Sequence, residues 1–196
     1  DFFVKHGLDP DLCFGDLEGP QLILVAADLK AGCAVLYGKD PNQSVLEGVL
    51  ASAAIPPWVR PLPQDDRLLI DGGAVSNLPI EPALQQGATE IVALDLTEPR
   101  PVGPSARGLG LFLNHLIMTV EMRQIHVETQ LAAARGVPVH RVRLLPESPV
   151  AVWEFPRAAM LFEPGYRLMK HYLAEHPELN WSRQSQKSWW QRWWSR

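Results

Sequence analysis

Cysteine is nearly absent: the 196 residues hold only Cys13 and Cys33. Two thiols by themselves build neither a disulfide scaffold nor a four-ligand zinc site. A reducing compartment is therefore expected, and with it a cytoplasmic location. Long apolar runs are missing as well. The longest, Leu109 to Val120, is broken by Gly110, Asn114 and His115 and falls short of the about 20 residues a bilayer span needs. No cationic stretch followed by an apolar one opens the chain, so no secretory signal is read. The six histidines (His6, His115, His126, His140, His171, His176) show no His-Glu-x-x-His spacing, so ordinary surface or core roles are expected of them; no metal or organic cofactor is implied by the reading reached below. Gly108-Leu109-Gly110 lacks the third glycine and the preceding strand of a dinucleotide site.

What is present reads as a globular domain. Hydrophobic residues make up 46% and charged ones 20%, which excludes disorder throughout. Charge is unevenly placed. Residues 1–181 hold all 22 acidic residues and 14 of the 18 Lys and Arg, a net −8. Residues 182–196 hold Arg183, Lys187, Arg192 and Arg196 without an acid. Five of the seven tryptophans also lie from Trp181 onward. An acidic body repels phosphates, so nucleic acid is not the expected partner. On a helix, Trp189, Trp190, Trp193 and Trp194 share a face flanked by arginines, a pattern of helices lying in a membrane interface. Peripheral membrane contact through this tail is one expectation, a frayed terminus the other. The chain accordingly divides into a body, residues 1–180, and a basic, Trp-rich tail, residues 181–196.

Strands and helices alternate along the body. Gln21 to Leu29 is a short apolar run of the kind buried on both faces, with Ala34 to Tyr37 as a hairpin partner. Ser44 to Glu47 reads as a capping box, opening a helix that Pro56 and Pro57 stop. Arg67 to Ile70 is a strand running into Asp71-Gly72-Gly73. A short helix follows Pro79, closed by Gly87, and Glu90 to Leu96 reads as the clearest buried strand. Leu109, Phe112, Leu113, Leu116, Ile117 and Val120 fall on one face of a helix reaching Arg135. Val139 to Leu144 alternates like a half-buried strand, and Pro164 to Glu175 is a last amphipathic helix. The Pro-rich stretch from Pro56 to Pro63 is a loop within one core. The expected fold is α/β, a mostly parallel central sheet flanked by helices.

In such sheets functional groups gather at the carboxyl ends of strands. Asp28, Asp71 and Asp95 occupy those positions, although an Asp there is most often a turn residue or a cap. The setting of Asp71 is more specific. It heads Asp71-Gly72-Gly73-Ala74-Val75-Ser76-Asn77-Leu78-Pro79. Ala51-Ser52-Ala53-Ala54-Ile55-Pro56-Pro57 precedes this run, and Ala26-Ala27-Asp28-Leu29 and Ile91-Val92-Ala93-Leu94-Asp95 flank it. Together these resemble the patatin-like phospholipase family, in order from about Pro20 to Thr97, with a looser echo at Phe162 to Leu173.

The resemblance implies a serine hydrolase of lipid acyl esters that works with a Ser-Asp dyad. The family's Asp-Gly-Gly carboxylate, the partner of the nucleophile, carries over to Asp71. Gly72 and Gly73 complete the motif and let the backbone turn tightly. Asn77 is expected to anchor the loop by hydrogen bonds, and Ser52 and Ser76 to be structural. A free Asp, with a pKa near ~3.9, is a poor base at neutral pH, so the role asks for partial burial. One departure is decisive: no Gly-x-Ser-x-Gly occurs, the nearest string being Gly15-Asp16-Leu17-Glu18-Gly19. The family's Gly-rich oxyanion segment is absent too. Since the chain opens on Asp1, it is expected to be the C-terminal portion of a patatin-like domain, inactive by itself. The rival reading is a non-catalytic lipid-surface or protein-interaction module with a degenerate patatin fold.

Overall fold

The computed structural model describes residues 2–97, 108–145 and 155–179. The tail with its tryptophans, Trp189, Trp190, Trp193 and Trp194, lies outside the described residues. In chain order the elements are α1 (Phe2–Lys5), β1 (Leu24–Asp28), β2 (Cys33–Tyr37), α2 (Val45–Ser52), β3 (Leu62–Gln64), β4 (Arg67–Asp71), α3 (Gly73–Ser76), α4 (Ile80–Gln85), β5 (Ile91–Asp95), α5 (Leu109–Ala134), β6 (Val139–Arg143) and α6 (Ala159–Glu175). The chain divides into two compact units. One carries α1 to α5 with β1 to β4; the other carries most of β5, with β6 and α6.

In the first unit four strands form a sheet in the order β2-β1-β4-β3. Every pairing in it is antiparallel, which corrects the expectation of a mostly parallel sheet. For two of the three pairings the reason lies in the connections. Only Leu29 to Gly32 join β1 to β2, and only Asp65 and Asp66 join β3 to β4; a parallel crossover needs a dozen residues or more. Asp65 takes φ +51° in the second turn, a conformation Asp tolerates. β3 falls in the Pro-rich stretch read as a loop, and Pro63 is accommodated because β3 is the edge strand.

The Ser44 hydroxyl accepts the Glu47 N–H at 3.3 Å and starts α2. The Glu47 carboxylate accepts from Gln64 Nε2 at 3.3 Å, which ties α2 to β3. α2 packs on β1 and β4, burying Phe14, Ala26, Tyr37, Val45, Ala51 and Leu69 in one cluster. Burial of these apolar groups is the main force holding the sheet to the helix. Gly87, at φ +82°, follows α4 as the cap reading expects.

One expectation about burial is corrected, that of β5, and the apolar face of α5 is found uncovered. In α5 the face from Leu109 to Val120 is exposed: Leu109 by 74%, Phe112 by 63% and Ile117 by 57%. The buried residues of this helix are Ile125, Glu128 and Ala132, in its C-terminal half, where α5 meets α3 and α4. The strand β5 is not buried throughout: Ile91, Ala93 and Asp95 are, whereas Leu94 and Leu96 are exposed. β5 pairs with β6. Ile91 N–H donates to the Pro138 carbonyl, and Leu144 N–H to the Asp95 carbonyl. These bonds advance in the same direction along both strands, so this pair runs parallel. Pro164 lies inside α6, which begins five residues before it.

Candidate functional site around Asp71

Asp71 is the last residue of β4 and lies opposite Ala26 of β1. Its N–H donates to the Ala54 carbonyl at 3.0 Å. The Ala51-Ser52-Ala53-Ala54 segment is thereby stitched to the aspartate, and two stretches far apart in sequence become one corner. The chain turns at Gly72 directly into α3. The Gly73 N–H donates to Asp71 Oδ1 at 2.7 Å, the only hydrogen bond to this carboxylate among the described residues. The side chain is half-buried.

Close approach of the backbone requires the first glycine, and the second stands against the carboxylate. A Cβ on Gly72 would run into the carbonyl of Val25 and come within 2.9 Å of Val25 Cγ1. A Cβ on Gly73 would lie 2.9 Å from Asp71 Oδ1 and 3.3 Å from Asn77 Oδ1. The first glycine lets the corner press against β1; the second keeps space beside the carboxylate. Asn77 is exposed, and among the described residues its side chain makes none of the hydrogen bonds expected of it; its Oδ1 stands beside the space a Cβ on Gly73 would take. Ser76 is buried and donates its hydroxyl to Glu128 at 2.9 Å, a structural bond.

The other two strand-end carboxylates have structural partners. Asp28 Oδ1 accepts the Lys30 N–H at 2.9 Å in the β1–β2 turn. That N–H, acting against burial, holds its carboxyl below the ordinary range. Asp95 is buried in the second unit. Its Oδ1 accepts the Thr97 N–H at 2.8 Å, and its Oδ2 accepts Arg141 Nε at 2.6 Å with Nη2 at 2.5 Å. Burial opposes its charge, but Thr97 and the guanidinium outweigh it, and its carboxyl also sits below the ordinary range.

Two carboxyls on α5 had not been expected at the site. Glu128 is buried, and its Oε2 accepts both the Ser76 hydroxyl and the Glu81 N–H, at 2.9 and 2.7 Å. Burial pushes its carboxyl above the ordinary glutamate range despite these bonds. Glu121, half-buried, is pushed up by burial and then by the charge of Asp71. Between them Gln124 Nε2 donates to the Ala74 carbonyl at 2.9 Å. A signal did exist in the sequence: Glu121 and Glu128 stand seven apart, on the helix face that carries Ile125 and Ala132. Beside this seam runs a groove of about 410 Å³, lined by Val75, Val120, Val127, Thr119 and Gln124 among others. No group of side chains fit to hold a metal ion is found among the described residues, nor any helix long and apolar enough to cross a membrane.

Asp71 is thus a half-buried aspartate on a two-glycine corner, at the end of a strand. The model of the patatin-like phospholipases matches residues 27–84, a stretch that begins in β1, contains Asp71 and ends in α4. The chain's likeness to that family is thus shown over this segment. The lysophospholipase NTE1 of Cryptococcus neoformans is 34% identical over 80 residues, 38% of this chain and 5% of the fungal protein. The neuropathy target esterase sws of Drosophila melanogaster is 33% identical over 93 residues, 46% of this chain and 6% of its own. An uncharacterized NTE family protein of Mycobacterium tuberculosis is 29% identical over 144 residues, 71% of this chain and 23% of its own. The chain therefore spans only a small part of the curated relatives it matches.

Proposed function

We propose that this chain supplies the base of a lipid acyl hydrolase, with Asp71 as the proton carrier of a Ser-Asp dyad. The observation that supports it most is the corner itself. The Asp71 carboxylate is held at one oxygen by the Gly73 N–H, while Gly72 and Gly73 leave no side chain over it, all within the family-matched segment. The 196 residues contain no Gly-x-Ser-x-Gly, so the serine comes from outside them.

The chemistry is a two-step acyl transfer. The serine oxygen attacks the ester carbonyl carbon while its proton passes to the Asp71 carboxylate. The tetrahedral intermediate collapses, the bond to the leaving alkoxide breaks, and Asp71 returns the proton to it. Water then attacks the acyl-serine, again losing a proton to Asp71, which hands it back to the serine as the fatty acid leaves. Asp71 ends as it began, and no redox partner enters. The Gly73 N–H orients the carboxylate so that its second oxygen faces the alcohol. The substrates are lipid acyl esters, in keeping with the lysophospholipase and esterase named among the relatives.

The coding sequence upstream of Asp1 tests this reading. An in-frame strand, Gly-x-Ser-x-Gly and helix is the expected result; a start codon immediately before Asp1 would favour a non-catalytic lipid-surface or interaction module. Labelling with a fluorophosphonate probe separates the two in solution when it is applied to the protein encoded with any such upstream segment, where the hydrolase reading expects a labelled serine and the module reading none. The isolated 196-residue chain is expected to remain unlabelled, and strong labelling of it would contradict the assignment.

A further inference from the structure

α5 changes character along its length. Its second half is held: Ile125, Glu128 and Ala132 are buried, Gln124 donates to the Ala74 carbonyl, and Glu128 accepts from Ser76 and from the Glu81 N–H. The turns before Glu121 are different. Residues 109–120 contain no Asp, Glu, Lys or Arg, and the first charges of the helix are Glu121 and Arg123. Leu109, Leu113, Leu116, Ile117 and Val120 make an exposed stripe with Phe112 at its edge, and Leu111 is exposed as well. About two and a half turns separate Leu111 from Val120, which puts them on opposite sides of the helix. The exposed apolar area is on the order of several hundred Å², more than a monomeric domain ordinarily leaves in water. Thr119 donates its hydroxyl to the His115 carbonyl one turn back at 2.8 Å, so that polar group is satisfied within the helix.

The spread of exposure and the lack of charge together say what covers this half of the helix. A second helix packed against it covers one stripe and leaves Leu111 in water. A hydrocarbon layer covers both sides at once, and it tolerates no charge carried in with the helix. Residues 109–120 extend about 18 Å at 1.5 Å per residue, more than half of a hydrocarbon core of about 30 Å and less than the whole. Among the described residues no helix is long and apolar enough to cross a membrane, so the fit is to one leaflet. We propose that the first half of α5 docks into the hydrocarbon of a neutral membrane surface, with Glu121 and Arg123 marking its boundary with water. The net −8 of residues 1–181 disfavours anionic lipid, so the surface is zwitterionic, of the phosphatidylcholine kind. Val120 belongs both to the charge-free turns and to the lining of the groove of about 410 Å³ beside Val75 of α3, so the groove meets the layer at that boundary.

The inference does not depend on Asp71 being a base, and its test needs no turnover. Co-sedimentation with phosphatidylcholine vesicles is measured for the 196-residue chain and for the double variant Phe112→Glu, Ile117→Glu, two positions exposed enough to leave the core undisturbed. The chain is expected to bind equally at low and high salt, since salt screens only charge. The variant is expected to partition about tenfold less or weaker still. Absence of binding overturns the proposal, as does binding that needs anionic vesicles and fades in salt. Binding that the variant keeps places the contact on another surface, such as the Trp-rich tail, and overturns it too. So does a mass of two chains without lipid that the variant reduces to one, because the face is then a contact between copies. The pair is measured again in the protein that carries the Gly-x-Ser-x-Gly serine. Loss of the α5-dependent binding there means that other residues of that protein occupy the face, and overturns the proposal. If the variant loses the native amide spectrum, phosphatidylcholine bearing a nitroxide on its acyl chain is added to the unaltered chain. Broadening concentrated on the amides of residues 109–120 is then expected, and unaffected amides there overturn the proposal equally.

Discussion

Asp71 is held in place by what its neighbours lack. Gly72 has no Cβ to strike the Val25 carbonyl, and Gly73 has none to crowd Asp71 Oδ1. The two glycines therefore fail differently when changed to alanine. Gly72→Ala meets backbone and must push β1 away, an overpacking cost of about 1–3 kcal/mol; a lowered midpoint in urea denaturation checks it. Gly73→Ala meets only two side-chain oxygens, so it is expected to fold with a smaller loss while displacing the carboxylate. In the serine-bearing protein it should lower kcat/KM by far more than it lowers stability. At this scale the sequence was informative for Asp71, Gly72 and Gly73, whose spacing is a local motif. For Glu128 it offered only a place on the Ile125 and Ala132 face of a helix and not its partners, Ser76 and Glu81, which are 52 and 47 residues away. No local pattern announces a bond across that distance.

Among the elements, α5 governs the site most. Its C-terminal half is tied to α3 and α4 through a buried carboxyl whose two hydrogen bonds do not fully compensate burial. Because the folded-state carboxyl of Glu128 titrates above the ordinary glutamate range, its contribution to stability is intact at pH values below that range. It is lost as pH rises through the raised value. Glu128→Gln keeps an oxygen able to accept from Ser76 and Glu81 and removes the charge. The variant is expected to match the parent in acid and to be the more stable one at pH 8, measured as urea midpoints at both pH values. Equal midpoints at pH 8 would show that the carboxyl is not disfavoured there. Asp95 works in the opposite sense. With a folded carboxyl below the ordinary range, it adds stability above that range and loses it as pH falls through the lowered value. Element positions were mostly legible because period and caps are local: Ser44 caps α2 as expected, and α5 ends within a residue of the expected stop. Sheet polarity was not. An all-apolar run such as Leu24 to Ala27 looks alike in parallel and antiparallel sheets, and only the two- and four-residue connections decide. The exposed face from Leu109 to Val120 shows the same limit, since periodicity identifies an apolar face but not what covers it.

For the molecule as a whole, the described residues form an antiparallel sheet with α2 packed on it in one unit and a parallel strand pair in another. The likeness to patatin-like phospholipases runs through the first unit, where β4 ends at Asp71 and the corner leads into α3, on which α5 packs. The account depends on that aspartate moving a proton for an acyl transfer. The most direct measurement is kcat/KM for a lysophospholipid or short acyl ester in the protein that carries the Gly-x-Ser-x-Gly serine, with and without Asp71→Asn. Loss of a general base is worth about 10²- to 10⁴-fold. The account predicts a fall of that size with an unchanged thermal midpoint; hydrolysis at the parent rate in Asp71→Asn would contradict it.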